Sequence, residues 1–70
     1  MASDGAKLAR AAQAGDDAKV KRLLRAKADV DATITIEDVS GVTALQTASD
    51  NGHVGAVRLL LKAKAMAMVK

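Results

Sequence analysis

Few side chains in this sequence could do chemistry, and their spacing decides of what kind. His53 is the only histidine and there is no cysteine. Zinc wants three or four ligands rich in nitrogen and sulfur. A metal site on His53 would have to recruit carboxylates, of which Asp50 is the nearest in sequence. Two carboxylate pairs, Asp29/Asp31 and Glu37/Asp38, have the residue types for acid–base work. That work needs two carboxyls held at a fixed separation in a cleft. Both pairs fall in stretches that read as turns, where carboxylates are solvated. Neither carries the glycine and terminal glutamate of a calcium loop. Ser3, Ser40 and Ser49 have no Gly-x-Ser-x-Gly context. Gly52-His53-Val54-Gly55 starts a helix and is not a phosphate-cradling loop. His53 itself reads as a capping and interhelix hydrogen-bonding residue. The expectation is a non-enzyme with no catalytic residue, no metal and no cofactor.

A cluster of cations raises nucleic acid as a partner: Lys19, Lys21, Arg22, Arg25 and Lys27. They fall mostly on the outer face of one helix, the usual place for solvated charge. The chain has no Phe, Tyr or Trp on which bases could stack. Nucleic-acid binding is therefore disfavoured.

With 70 residues the chain makes one small domain at most. A domain of this size buries only about 60% of the surface its unfolded form exposes, so it is marginally stable. The lack of cysteine removes disulfides as a remedy and leaves the redox compartment undetermined. Pro is absent together with all aromatics. That alphabet fits an Ala-rich helical protein, or equally a designed, selected or reconstructed sequence. The net charge of +3 and pI near 9.6 are mildly basic. Their arrangement is more informative. Every Lys and Arg lies within residues 7–27 or 58–70, whereas residues 28–57 carry Asp29, Asp31, Glu37, Asp38 and Asp50 and no basic residue but His53. No apolar run approaches the roughly 20 residues of a membrane span. Asp4, Lys7 and Arg10 stand where a signal peptide would need its apolar core. An intracellular protein is expected rather than a secreted one.

The elements that position these residues come from a repeat. Gly15 and Gly52 are 37 residues apart, and at that offset Leu8 matches Leu45, Ala11 matches Ala48, Val20 matches Val57, and Leu23-Leu24 matches Leu60-Leu61. Ala26-Lys27-Ala28 matches Ala63-Lys64-Ala65, and Arg22 faces a departure at Leu59. Advancing about 100° per residue from Val20 brings Leu23 and Leu24 to its side and sends Lys21, Arg22 and Arg25 to the other. Val57, Leu60 and Leu61 repeat that face. Leu8, Ala11 and Ala12 form a second stripe ahead of the first such helix, copied in Leu45 and Ala48. Gly15 and Gly52 are placed to close helices in the left-handed conformation. Asp16 or Asp17, Thr43, and Ser3 or Asp4 are placed to cap the following ones. Four helices are expected, at about 4–14, 17–27, 43–51 and 54–64.

"SGVTALQTASDNGHVGAVRLLLKAKA", residues 40–65, resembles the ankyrin-repeat pattern Gly-x-Thr-Pro-Leu-His-x-Ala-Ala-x-x-Gly-His-x-x-Val-Val-x-x-Leu-Leu-x-x-Gly-Ala. "AKLARAAQAGDDAKVKRLLRAKADVDA", residues 6–32, resembles an N-terminal repeat of the same family. The resemblance covers about three quarters of the chain and implies an all-α fold of stacked helix-turn-helix repeats with a β-hairpin finger between them. It divides the chain into a first repeat at 1–32, a lengthened finger at 33–40, and a second repeat with its tail at 41–70. Departures are plain. Ala44 replaces the family's Pro, Gln46 replaces its His, and Lys27 and Lys64 stand at the helix-ending glycine. Gln46 can still donate and accept hydrogen bonds.

The repeat period exceeds the family's 33 residues, and the extra length falls in "TITIEDVS". Alternation along Thr33, Ile34, Thr35 and Ile36 puts both isoleucines on one face. A lone hairpin is marginal in water. Those isoleucines must fold back on the helices or be covered by another molecule. The finger reads either as a lengthened surface loop or as a contact surface. Two repeats are fewer than a stack ordinarily needs, and "AKAMAMVK" would leave Met66, Met68 and Val69 to fold back or to meet another subunit.

The resemblance further implies a non-enzymatic protein-binding module whose contacts lie on the finger and on the concave side of the first helix of each repeat. Carried onto this chain, those positions are Gln13, Ala14, Val39, Ser40, Val42, Asp50 and Asn51. The insertion adds Thr33, Ile34, Thr35, Ile36 and Glu37. The carboxylates of the chain's middle favour a basic protein partner. The rival reading is a minimal or engineered repeat chain that mainly folds and self-associates, through the finger or the exposed C-terminal face.

Overall fold

The computed structural model describes residues 4–68, with side chains as far as residue 66. The expectations placed on Ser3, on the Met68 side chain and on Val69 lie outside the described residues. In chain order the elements are α1 (Asp4–Ala14), α2 (Asp17–Arg25), β1 (Thr33–Ile36), β2 (Val39–Thr43), α3 (Ala44–Asp50) and α4 (Val54–Met68). They form two antiparallel helix pairs joined by a two-stranded hairpin. α1 packs on α3 and α2 on α4, so the pairs stack side by side, with β1 against α1 and β2 against α3.

The helix ends follow from local chemistry. Gly15 closes α1 at φ 73° and Gly52 closes α3 at φ 71°. In each case the next N–H returns to the last turn, Asp16 to the Ala11 carbonyl and His53 to the Ala48 carbonyl. This is the Schellman closure, which satisfies carbonyls that the helix leaves open. The Asp16 carboxylate then accepts the Lys19 backbone N–H at 3.1 Å and starts α2. The Thr43 hydroxyl accepts that of Gln46 at 3.2 Å and starts α3.

Lys27 and Lys64 part company, although the repeat equates them. Lys27 takes the left-handed φ of 63°, and Ala28 donates back to Leu23, so α2 ends at Arg25, earlier than the periodicity suggests. Burial of Ala28 beyond the turn, with Val30 packed on the core, pulls the chain off the helix axis. Lys64 stays helical. The residues after it, Ala65, Met66, Ala67 and Met68, are strong helix formers, and α4 runs past the expected end at 64 to Met68.

Leu8, Val20 and Leu60 are the largest fully buried side chains, and alanines fill the space around them: Ala9, Ala12, Ala44, Ala48 and Ala56. Small side chains at the crossings let the helices approach closely. One expected core position moves. Leu24 is half-buried and faces α4 across Leu59 and Ala63. Its repeat mate Leu61 is 50% exposed. Leu24 lies on the side of α2 that the next helix pair covers; among the described residues no pair lies beyond α4 to cover Leu61. Leu59, the departure from the repeat, supplies the apolar contact toward α2.

In the hairpin, Thr33 pairs with Thr43, Ile34 with Val42, and Ile36 with Val39, in antiparallel register. Glu37 and Asp38 form a two-residue turn with φ 48° and 68°, the sign pattern of a type I′ turn, whose twist matches that of paired strands. The register shifts by one between Ile34 and Ile36. Gly41, at φ 76°, sits in the longer strand there and takes up the bulge. The isoleucines do fold back: Ile34 is buried and Ile36 half-buried against the helices, while Thr33 and Thr35 point outward.

Candidate functional site

The underside of the hairpin and the ends of the inner helices α1 and α3 enclose a groove of about 320 Å³. Its lining is Gln13 at the end of α1; Ile36, Glu37, Val39 and Val42 from the hairpin; and Gln46, Thr47, Asp50 and Asn51 along α3. The residues arrive by three routes. The type I′ turn holds Glu37 at the rim. The β2 strand offers Val39, 57% exposed, as an apolar wall. On α3, Gln46 and Asp50 stand one turn apart on one face, as do Thr47 and Asn51.

Glu37 and Asp50 are the charged groups of this lining, and both are acidic. Polar and apolar groups alternate around them. Among the described residues, no three His, Cys, Asp or Glu side chains converge on a point where a metal could bind.

The site is stiffened by one acceptor. The Gln13 backbone carbonyl receives the Asn51 side-chain amide at 3.2 Å and lies 3.0 Å from His53 Nε2. A carbonyl cannot donate, so Nε2 carries the proton. These bonds run from the end of α3 to the end of α1 and set the spacing of the two helix ends that line the groove. Gln46, which stands where the resemblance expects histidine, lines the groove instead, and its backbone N–H is held by Thr43.

The structure therefore gathers Gln13, Ile36, Glu37, Val39, Val42, Asp50 and Asn51 in one place. It leaves others out. Ile34 is buried in the core and does not line the groove, whereas Val42, buried to the same degree, also lines it. The period-2 pleat that hides Ile34 turns Thr33 and Thr35 to the opposite, outer face. Ser40 and Ala14 are exposed but outside the groove lining. Asp29 and Asp31 lie elsewhere too. Asp29 accepts the Asp31 backbone N–H at 2.9 Å in a local turn, and Asp31 pairs with Lys64 at 3.3 Å. They do not add to the groove's negative charge. Gln46 and Thr47 were missed from sequence. Their spacing of four from Asp50 and Asn51 on α3 was the signal that could have found them.

Paired helices stacked side by side, with a hairpin finger standing at one end of the inner layer, define a helix-hairpin repeat protein. Residues 8–70 match the family described as ankyrin repeats in three copies, and the chain belongs to that family. Ankyrin repeats are generally protein–protein interaction modules, and domains built from them are typically non-enzymatic. No helix among the described residues is long and apolar enough to cross a membrane.

Proposed function

We propose that this chain is a recognition module that docks a basic segment of another protein in the groove between the hairpin and the inner helices. The observation that carries the reading is the lining itself: two carboxylates, Glu37 and Asp50, flank the apolar wall of Val39 and Ile36, with no cation among the groove residues. Electrostatic complementarity of this kind sets partner choice and on-rate more than raw affinity. Gln13, Gln46 and Asn51 supply amides that can bond a bound backbone. The test is calorimetric titration with Lys/Arg-rich peptides carrying one or two large apolar residues. Reversal by Asp50→Lys should weaken the best of them roughly tenfold or more. Equal binding by wild type and variant would refute the reading.

A second reading has its own support. Val54 and Leu61 lie seven residues apart on α4, at 62% and 50% exposure. Large apolar side chains repeated at that spacing share a helix face and favour association of copies through α4. Sedimentation equilibrium over a hundredfold concentration range separates the two. Association of copies would raise the mass with concentration, and Leu61→Glu would return it to that of a monomer.

A further inference from the structure

The opposite side of the molecule carries a second groove of the opposite charge. α2 and α4 run side by side there, and between them lies a trough of about 450 Å³. Its floor is Leu24, Leu59 and Ala63, with Met66 at one end, 67% exposed. Its charged rim is Lys21 and Arg25 on α2 and Lys62 on α4, and no carboxylate lines it. Among the described residues, none of these three cations has an ion-pair partner; the one ion pair is Lys64 with Asp31, at the neighbouring end of the helices.

We infer that this trough docks an acidic amphipathic segment of a partner protein, inserting large apolar side chains between α2 and α4 while its carboxylates meet Lys21, Arg25 and Lys62. The geometry selects that occupant over others that cations attract. The apolar floor is recessed between two helices, so a ridge of side chains reaches it and a flat lipid surface does not. A phosphate backbone has no use for a floor of Leu24, Leu59 and Met66, and the chain offers no aromatic ring to a base. Long side chains with flexible stems suit a groove filler. Met66 is adaptable in shape, and the stems of Lys21 and Lys62 add apolar wall below their charges. This face is independent of the groove under the hairpin and takes a ligand of opposite sign.

The test uses the whole chain and a fluorescein-labelled synthetic helix with Leu and Phe on one face and Glu on the other. Anisotropy should report binding that weakens as salt is raised. The triple reversal Lys21→Glu, Arg25→Glu, Lys62→Glu should reduce affinity at least about tenfold. All three side chains are exposed, and retained helicity would show that the variant folds. Met66→Ala keeps every charge and should weaken binding several-fold if the floor is used. Amide shifts on binding should centre on residues 21–25 and 59–66. Three outcomes would overturn the proposal. The first is unchanged affinity in both variants. The second is shifts confined to residues 46–51. The third is no peptide binding while phosphatidylserine vesicles, duplex DNA or a second copy of the chain bind in a manner lost on the same reversal.

Discussion

His53 Nε2 stands 3.0 Å from the backbone carbonyl oxygen of Gln13, and through that bond the second helix pair holds the end of the first. Asn51 donates to the same oxygen. Two donors on one acceptor make their contributions interdependent. Removing either leaves the carbonyl bonded, and removing both strips it. His53→Ala and Asn51→Ala should each cost about 1 kcal/mol. The double variant should cost more than their sum, by about 0.5 kcal/mol or more. A double-mutant cycle from urea denaturation checks this, and strict additivity would refute the shared-acceptor account.

Gly15 lies under that ring. Its φ of 73° is left-handed, and a Cβ there would come 2.7 Å from the His53 imidazole. Gly15→Ala therefore meets both penalties, about 1 kcal/mol of backbone strain and a clash that displaces His53 from Gln13. A loss of roughly 2 kcal/mol or more is expected in thermal or urea unfolding. In a His53→Ala background the clash disappears, and the cost should fall toward the backbone term alone.

Three non-glycine residues, Lys27, Glu37 and Asp38, hold left-handed φ values, and two of them make the clearest tests. Asp38, at φ 68°, is the second residue of the hairpin turn, and Lys27, at φ 63°, closes α2. Asp38→Gly gives the turn a residue it prefers, and Lys27→Gly restores the usual helix closure. Each should stabilise by about 0.5 kcal/mol after the entropy of a freer unfolded chain is subtracted. Lys64→Gly, the repeat mate, should destabilise instead, by up to about 1 kcal/mol, because Lys64 sits inside α4. Opposite signs at equivalent positions are the outcome to look for in melting curves.

The leucines of α4 should separate in the same way. Leu60 is fully buried, and Leu60→Ala should cost about 2–5 kcal/mol. Leu61 is half exposed, and Leu61→Ala should cost under about 1 kcal/mol. In a chain this small the first change should leave little folded protein by circular dichroism, and the second should leave the melt nearly unchanged.

These contrasts mark how far the sequence was legible. The stripes of Leu8, Val20 and Leu60, the glycines that close α1 and α3, and the Asp16 and Thr43 caps are local patterns, and local patterns can be read in one dimension. The exposure of Leu61 could not be read that way. It matches Leu24 in sequence and differs only in what packs on it, which is a fact of stacking order. Lys64 is similar: the chain leaves the helix at Lys27 because the following hairpin is anchored in the core, and no such anchor follows Lys64 among the described residues. At the groove, the alternation of Thr33, Ile34, Thr35 and Ile36 revealed a two-faced strand but not which face the helices would take. The bulge at Gly41 left no clear sign, since a glycine in a strand also marks an ordinary weak position. Asp29 and Asp31 show the opposite error, where acidic composition suggested a shared surface that the turn geometry splits.

The most direct test of the central claim is the amide footprint of a basic, apolar-anchored peptide on the isotopically labelled chain, read at low and at physiological salt. Shifts centred on Gln13, Val39, Gln46, Asp50 and Asn51, weakening with salt and lost in Glu37→Lys with Asp50→Lys, are the predicted result. Shifts that spare those residues, or that persist unchanged in the charge-reversed chain, would contradict it.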